Sequence, residues 1–91
     1  MSYQVMLHPG AAKFLEKLET RAKNRIRAAV RQLEQDPFQS RPGADIKRLK
    51  GTKGRHDLFR LRVGDYRAIY AVEERTVWIT EIFFRGHGYR V

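Results

Sequence analysis

Apolar residues at Tyr3, Val5 and Leu7 are separated by Gln4 and Met6, a two-residue period that predicts a short first strand ended by His8-Pro9-Gly10. The period then lengthens. Ala11, Phe14, Leu15 and Leu18 fall on one side of a helix opened by Pro9, with Lys13, Glu16, Lys17 and Glu19 mostly elsewhere. Thr20 reads as the break and N-cap of a second helix. Its apolar stripe is Ala22, Ile26, Ala29, Val30 and Leu33, and its exposed side carries Arg21, Lys23, Arg25, Arg27 and Arg31. Asp36-Pro37 should stop it, because proline cannot continue the hydrogen-bond ladder and restricts the residue before it. Residues 38–45 read as a loop, 46–49 as a short strand, and 50–56 as a turning, charged connection. Three β-prone runs follow at 58–63, 66–72 and 77–84.

A strand, an αα-hairpin and a meander of strands imply an α+β fold, a single domain over residues 1–91 with the helices packed on a twisted antiparallel sheet. The run FRLRVGDYRAIY fixes the most informative part of that sheet. If Gly64-Asp65 is a two-residue turn, Val63 opposes Tyr66, Arg62 opposes Arg67 and Leu61 opposes Ala68. Alternation then divides the hairpin. Phe59, Leu61, Val63, Tyr66, Ala68 and Tyr70 share the face toward the helices, and Arg60, Arg62 and Arg67 share the other. An Arg62–Arg67 cross-strand pair costs up to about 1 kcal/mol in the free protein, a repulsion that a polyanion turns into attraction. Asp57, Asp65, Glu73 and Glu81 are the acids able to neutralise part of it, and Glu81 sits out of phase if the last hairpin is equally tight.

Charge strengthens this picture. Nineteen Lys and Arg against ten Asp and Glu give a formal +9, of which residues 46–91 carry eleven basic and five acidic groups. Such a domain attracts polyanions or an acidic partner. The absence of cysteine excludes disulfides, a thiol nucleophile and a Cys-based zinc site, and suits a reducing compartment. No apolar run is long enough to cross a bilayer, so the expectation is a soluble, cytoplasmic protein with no membrane partner. Neither a Walker loop nor a metal-ligand spacing is present, so no cofactor or metal is expected. If RNA is cleaved, attack by its own ribose 2′-hydroxyl is the economical route. The last segment, FFRGHGYR, adds Arg85, His87 and Tyr89: His87 has acid–base capacity near neutrality, and Tyr89 can stack on a base or donate a hydrogen bond.

The charged helices ending in DPF, then IKRLKG, LFRLRVGDYRAIY and FFRGHGYR, resemble the RelE/ParE toxin superfamily over almost the whole chain, nearest to its RelE-like, archaeal-type mRNA interferases. The resemblance implies a RelE-like microbial-ribonuclease-type fold. It also implies a toxin neutralised by a cognate RelB-like antitoxin, acting in the ribosome on mRNA in the A site as a metal-independent endoribonuclease. By motif, Arg60 and Arg62 stand where bacterial relatives usually carry functional lysines, and Arg67 is the arginine of GDYR. Arg85 matches the arginine after the last strand, and Tyr89 matches the functional tyrosine near the C-terminus. His87 joins the catalytic candidates on its chemistry, and Lys47, Arg48, Lys50, Lys53 and Arg55 are the expected RNA-binding residues. Arginine holds its proton more firmly than lysine, which suits Arg60 and Arg62 to clamping phosphate rather than to general-base work. A ParE-like inhibitor of DNA gyrase and a non-catalytic ribosome- or nucleic-acid-binding protein remain the alternative readings.

Overall fold

A computed structural model describes residues 2–49 and 57–85. Its elements run β1 (Gln4–Leu7), α1 (Pro9–Glu16), α2 (Thr20–Gln32), β2 (Asp45–Leu49), β3 (Leu58–Val63), β4 (Tyr66–Glu73) and β5 (Thr76–Phe84). The five strands form one sheet in the order β1-β5-β4-β3-β2. The α+β architecture is the one the periodicity predicts, with one refinement: β2 to β5 are antiparallel neighbours, whereas β1 joins the edge parallel to β5. The helices carry the chain from one sheet edge to the other, and the meander returns strand by strand until β5 lies beside β1.

Both helices lie on one face of the sheet, α1 over β5 and β1, and α2 over β3. Ala11 and Leu15 of α1, Ile26 of α2 and the adjoining Leu33 meet Leu61, Val63, Ala68, Tyr70, Val77, Ile79 and Ile82 from the strands. Burying each large side chain here contributes about 2 kcal/mol. The α2 N-cap is Glu19 rather than Thr20, since the Glu19 carbonyl already accepts the first helical hydrogen bond, from Lys23 N–H at 3.0 Å. No side chain caps either helix N-terminus. They are held by packing.

The end of α2 is better anchored than its start. The helix ends at Gln32, ahead of the expected Asp36-Pro37 stop, and Asp36 Oδ1 accepts hydrogen bonds from Phe38 N–H (2.9 Å) and Gln39 N–H (3.2 Å), forming the turn that follows. The Phe38 hydrogen bond is the main reason its carboxyl lies below the ordinary 3.8. Arg41 ties the same loop to the Gln32, Asp36 and Gln39 carbonyls.

Two two-residue turns set the sheet register. Gly64, with φ of +58°, supplies the positive dihedral of the β3–β4 turn, and a Cβ there would also meet the Arg25 guanidinium at 2.8 Å. The β4–β5 turn places Glu74 at φ of +57°, the only described non-glycine residue in that region. A side chain is strained there. Glu74→Gly should therefore stabilise the protein by roughly 1 kcal/mol, read as a rise of a few degrees in the thermal midpoint.

Candidate nucleic-acid interface

Pairing across β3 and β4 is the one expected from the Gly64-Asp65 turn: Val63 faces Tyr66, Arg62 faces Arg67, and Leu61 faces Ala68. Burial follows the same alternation. Phe59, Leu61, Val63, Ala68 and Tyr70 are buried beneath the helices, leaving Arg60, Arg62 and Arg67 on the opposite, outer face. Extending the register across the sheet arranges that face in rows. Asp45, Arg62, Arg67 and Phe83 form one, and Lys47, Arg60, Ile69 and Glu81 form the next. The third, Leu49, Leu58, Ala71 and Trp78, is apolar. Successive rows stand about 7 Å apart, two residues along a strand.

The cations are held in different ways. Arg67 donates to the Gly64 and Tyr66 carbonyls at 3.0 and 3.1 Å, which fixes its guanidinium beside the turn. Partial burial lowers its pKa from the ordinary guanidinium value, Arg62, Arg60 and Arg85 lower it further by repulsion, and Asp65 opposes them. Arg60, Arg62 and Arg85 thus lie near enough for their charges to act on Arg67. Arg60 is three-quarters buried: one terminal nitrogen lies 3.4 Å from Asp45 Oδ1, and its Nε is buried with no hydrogen-bond partner. A buried unpaired donor is costly. Arg85 is fastened to the same end of the sheet by its N–H bond to the Asp65 carbonyl (2.6 Å), with Nε 4.0 Å from Asp65 Oδ1.

Lys47 joins the arginine face opposite Arg60, but Arg48 does not. Adjacent strand residues point to opposite faces, and Arg48, across from Phe59, is exposed on the helix side and ion-paired with Asp57. Asp57 is thus taken up away from the cluster, and Asp45 partners Arg60 instead. That role depends on the β2–β3 register, which no short turn in the sequence announces. Lys50, Lys53, Arg55, His87 and Tyr89 lie outside the described residues.

β5 breaks its alternation. Tyr70 pairs with Ile79 and Ile69 with Glu81, so Thr80 is an extra residue in a β-bulge, its hydroxyl donating to the Ile69 carbonyl at 3.3 Å. Ile79 and Ile82 are both core residues, and the two residues between them, Thr80 and Glu81, project to the outer face. Without the bulge Glu81 would stand opposite the buried Ala68. The sequence carries a trace of this: Glu81 is the one acid out of phase with an otherwise apolar strand.

No group of three or more His, Cys, Asp or Glu residues able to hold a metal ion occurs among the described residues. No described helix is long and apolar enough to cross a membrane.

Comparison with known proteins bears on what such a face does. A family model described as the ParE toxin of the type II toxin-antitoxin system parDE matches residues 5–89. Among solved structures, the chain is similar to one from an archaeal RelE-RelB complex of Pyrococcus horikoshii OT3. That match has 34% identity and a TM-score of 0.79, over 97% of this chain and all of that one. It also resembles one from the RelBE2 toxin-antitoxin complex of Mycobacterium tuberculosis at 26% identity and a TM-score of 0.74, over 93% of this chain and all of that one. A RelB-RelE complex from Methanococcus jannaschii, 20% identical with a TM-score of 0.67 over 87% of this chain and 88% of that one, shares the fold. Among curated proteins, none matches at a significant level.

Proposed function

The chain belongs to the RelE/ParE superfamily of type II toxin–antitoxin toxins, and from that premise we propose that it is a ribosome-dependent endoribonuclease cleaving mRNA in the A site. The observation that carries this reading is the outer sheet face, where Arg60, Arg62 and Arg67 stand together with Arg85 at the rim. The ribose 2′-oxygen attacks the adjacent phosphorus, the bond to the 5′-oxygen breaks, and a 2′,3′-cyclic phosphate and a 5′-hydroxyl result. The guanidinium groups hold the non-bridging oxygens and offset the charge that builds on them, an effect largest where the donors are fixed before the reaction. Arg67 is fixed by the turn carbonyls and Arg60 by its burial. Tyr89 and His87 are the proposed groups for substrate stacking and for proton donation to the leaving oxygen. A RelB-like acidic antitoxin is the proposed partner, since the solved relatives are complexes with RelB and a +9 chain attracts an acidic polypeptide. Purified toxin added to ribosomes with a defined codon in the A site should yield a cut message with those two ends; an intact message at saturating toxin would sink the reading.

The family model's ParE description favours a second reading, inhibition of DNA gyrase. Supercoiling and cleavage-complex assays separate the two, because a gyrase poison acts without ribosomes.

A further inference from the structure

An arginine clamp explains how phosphate is held and leaves the ribose proton without an acceptor, since guanidinium stays protonated at any pH the ribosome survives. The bulge in β5 supplies one. We propose that Glu81 is the general base of the cleavage step, an inference that rests on the endoribonuclease reading. Three observations support it. The extra residue Thr80 re-aims Glu81 from the core to the arginine face, and bulges beside active sites commonly redirect a side chain in this way. Glu81 is two residues from Phe83, the direct partner of Arg67, so it is a diagonal neighbour of Arg67 with about 7 Å between their Cβ atoms. Finally, no hydrogen bond or ion pair among the described residues holds the Glu81 carboxylate, which is only partly exposed.

The step balances: the 2′-oxygen gives its proton to Glu81 as its O–P bond forms, and the 5′-oxygen leaves with a proton from water or an acid on the protein. Charged and titratable groups facing this part of the sheet are Arg67 on β4, Arg60 and Arg62 on β3, Lys47 and Asp45 on β2, Arg85 and Asp65 at the rim, and His8 at the end of β1. Asp45 is the weaker candidate, because Arg60 already engages it and an ion-paired carboxylate is a poorer proton acceptor. His8 is turned edge-on to the Trp78 ring, with centroids 5.8 Å apart.

The test is single-turnover cleavage of ribosome-bound message. Glu81→Gln should lower the rate about 100-fold with ribosome affinity unchanged, and Glu81→Asp should restore part of it. The wild-type rate should fall on acidification as the base is protonated, and the glutamine variant should lose that limb while Asp45→Asn and His8→Gln keep it. A message with sulfur in place of the bridging 5′-oxygen needs no acid, so the Glu81→Gln defect should persist with it. Undiminished cleavage by Glu81→Gln, rescue by the sulfur leaving group, a wild-type rate without an acid limb, or loss of that limb in Asp45→Asn or His8→Gln would each overturn the assignment and leave the endoribonuclease reading standing. An inactive wild-type protein overturns both.

Discussion

Replacing Arg67 by alanine should lower single-turnover cleavage of ribosome-bound mRNA by about 1,000-fold, the upper range for removing a preorganised donor from a developing anion. Among the outer-face arginines described, Arg67 alone combines partial burial with two hydrogen bonds to its own turn and repulsion from three other guanidinium groups. A phosphate converts that repulsion into attraction at no cost in side-chain ordering. The substitution also removes the bonds to the Gly64 and Tyr66 carbonyls, so its stability must be measured beside its activity; these exposed or partly buried bonds are worth about 1 kcal/mol together. Arg67→Lys separates the two roles. A lysine keeps the charge and loses the planar fork, so it should bind ribosomes nearly as well and still cleave far more slowly. Equal loss of binding and cleavage in the lysine variant would make Arg67 a simple charge contact.

The arginine face was legible in the sequence because two independent signals agreed there. A two-residue turn fixed the pairing, and strict alternation over Phe59 to Val63 told the faces apart. Where only one signal was present, the reading slipped. Lys47 and Arg48 look equivalent as neighbouring cations, yet a two-residue period permits only one of them to join Arg60, and the register to β3 selects Lys47. Thr20 looked like a cap by residue type, but the helix begins one residue earlier with the Glu19 carbonyl. The parallel pairing of β1 depends on where the last strand arrives after the whole meander, which no local pattern encodes. The bulge is intermediate: Val77 and Ile79 are apolar in one phase, Ile82 and Phe84 in the other, and the charge of Glu81 alone hints that the phase must change between them.

Tyr70→Phe should cost about 1–3 kcal/mol, the penalty for leaving a buried carbonyl unpaired, and lower the thermal midpoint by roughly 4–8 °C per kcal/mol in a domain of this size. The Tyr70 side chain is fully buried in the middle of the sheet, stacked on Phe59 with ring centroids 5.4 Å apart. Its hydroxyl donates to the Pro37 carbonyl at 2.7 Å, joining the sheet to the segment that follows α2. Phenylalanine keeps the ring packing and deletes that single link. A pH dependence distinguishes this account from a general packing defect. Burial, first among the causes, pushes the Tyr70 hydroxyl well above its ordinary value near 10. The unfolded chain therefore releases this proton at lower pH than the folded one, so its contribution is intact below about pH 10 and is lost as pH rises toward the folded-state value. Urea denaturation across that alkaline range should show a steeper loss of stability in the wild type than in Tyr70→Phe, with the two curves drawing together as the pH increases. Parallel curves would mean that Tyr70 stabilises the fold through its ring alone, and that the segment after α2 is held by Arg41 and the Asp36 turn rather than by the sheet.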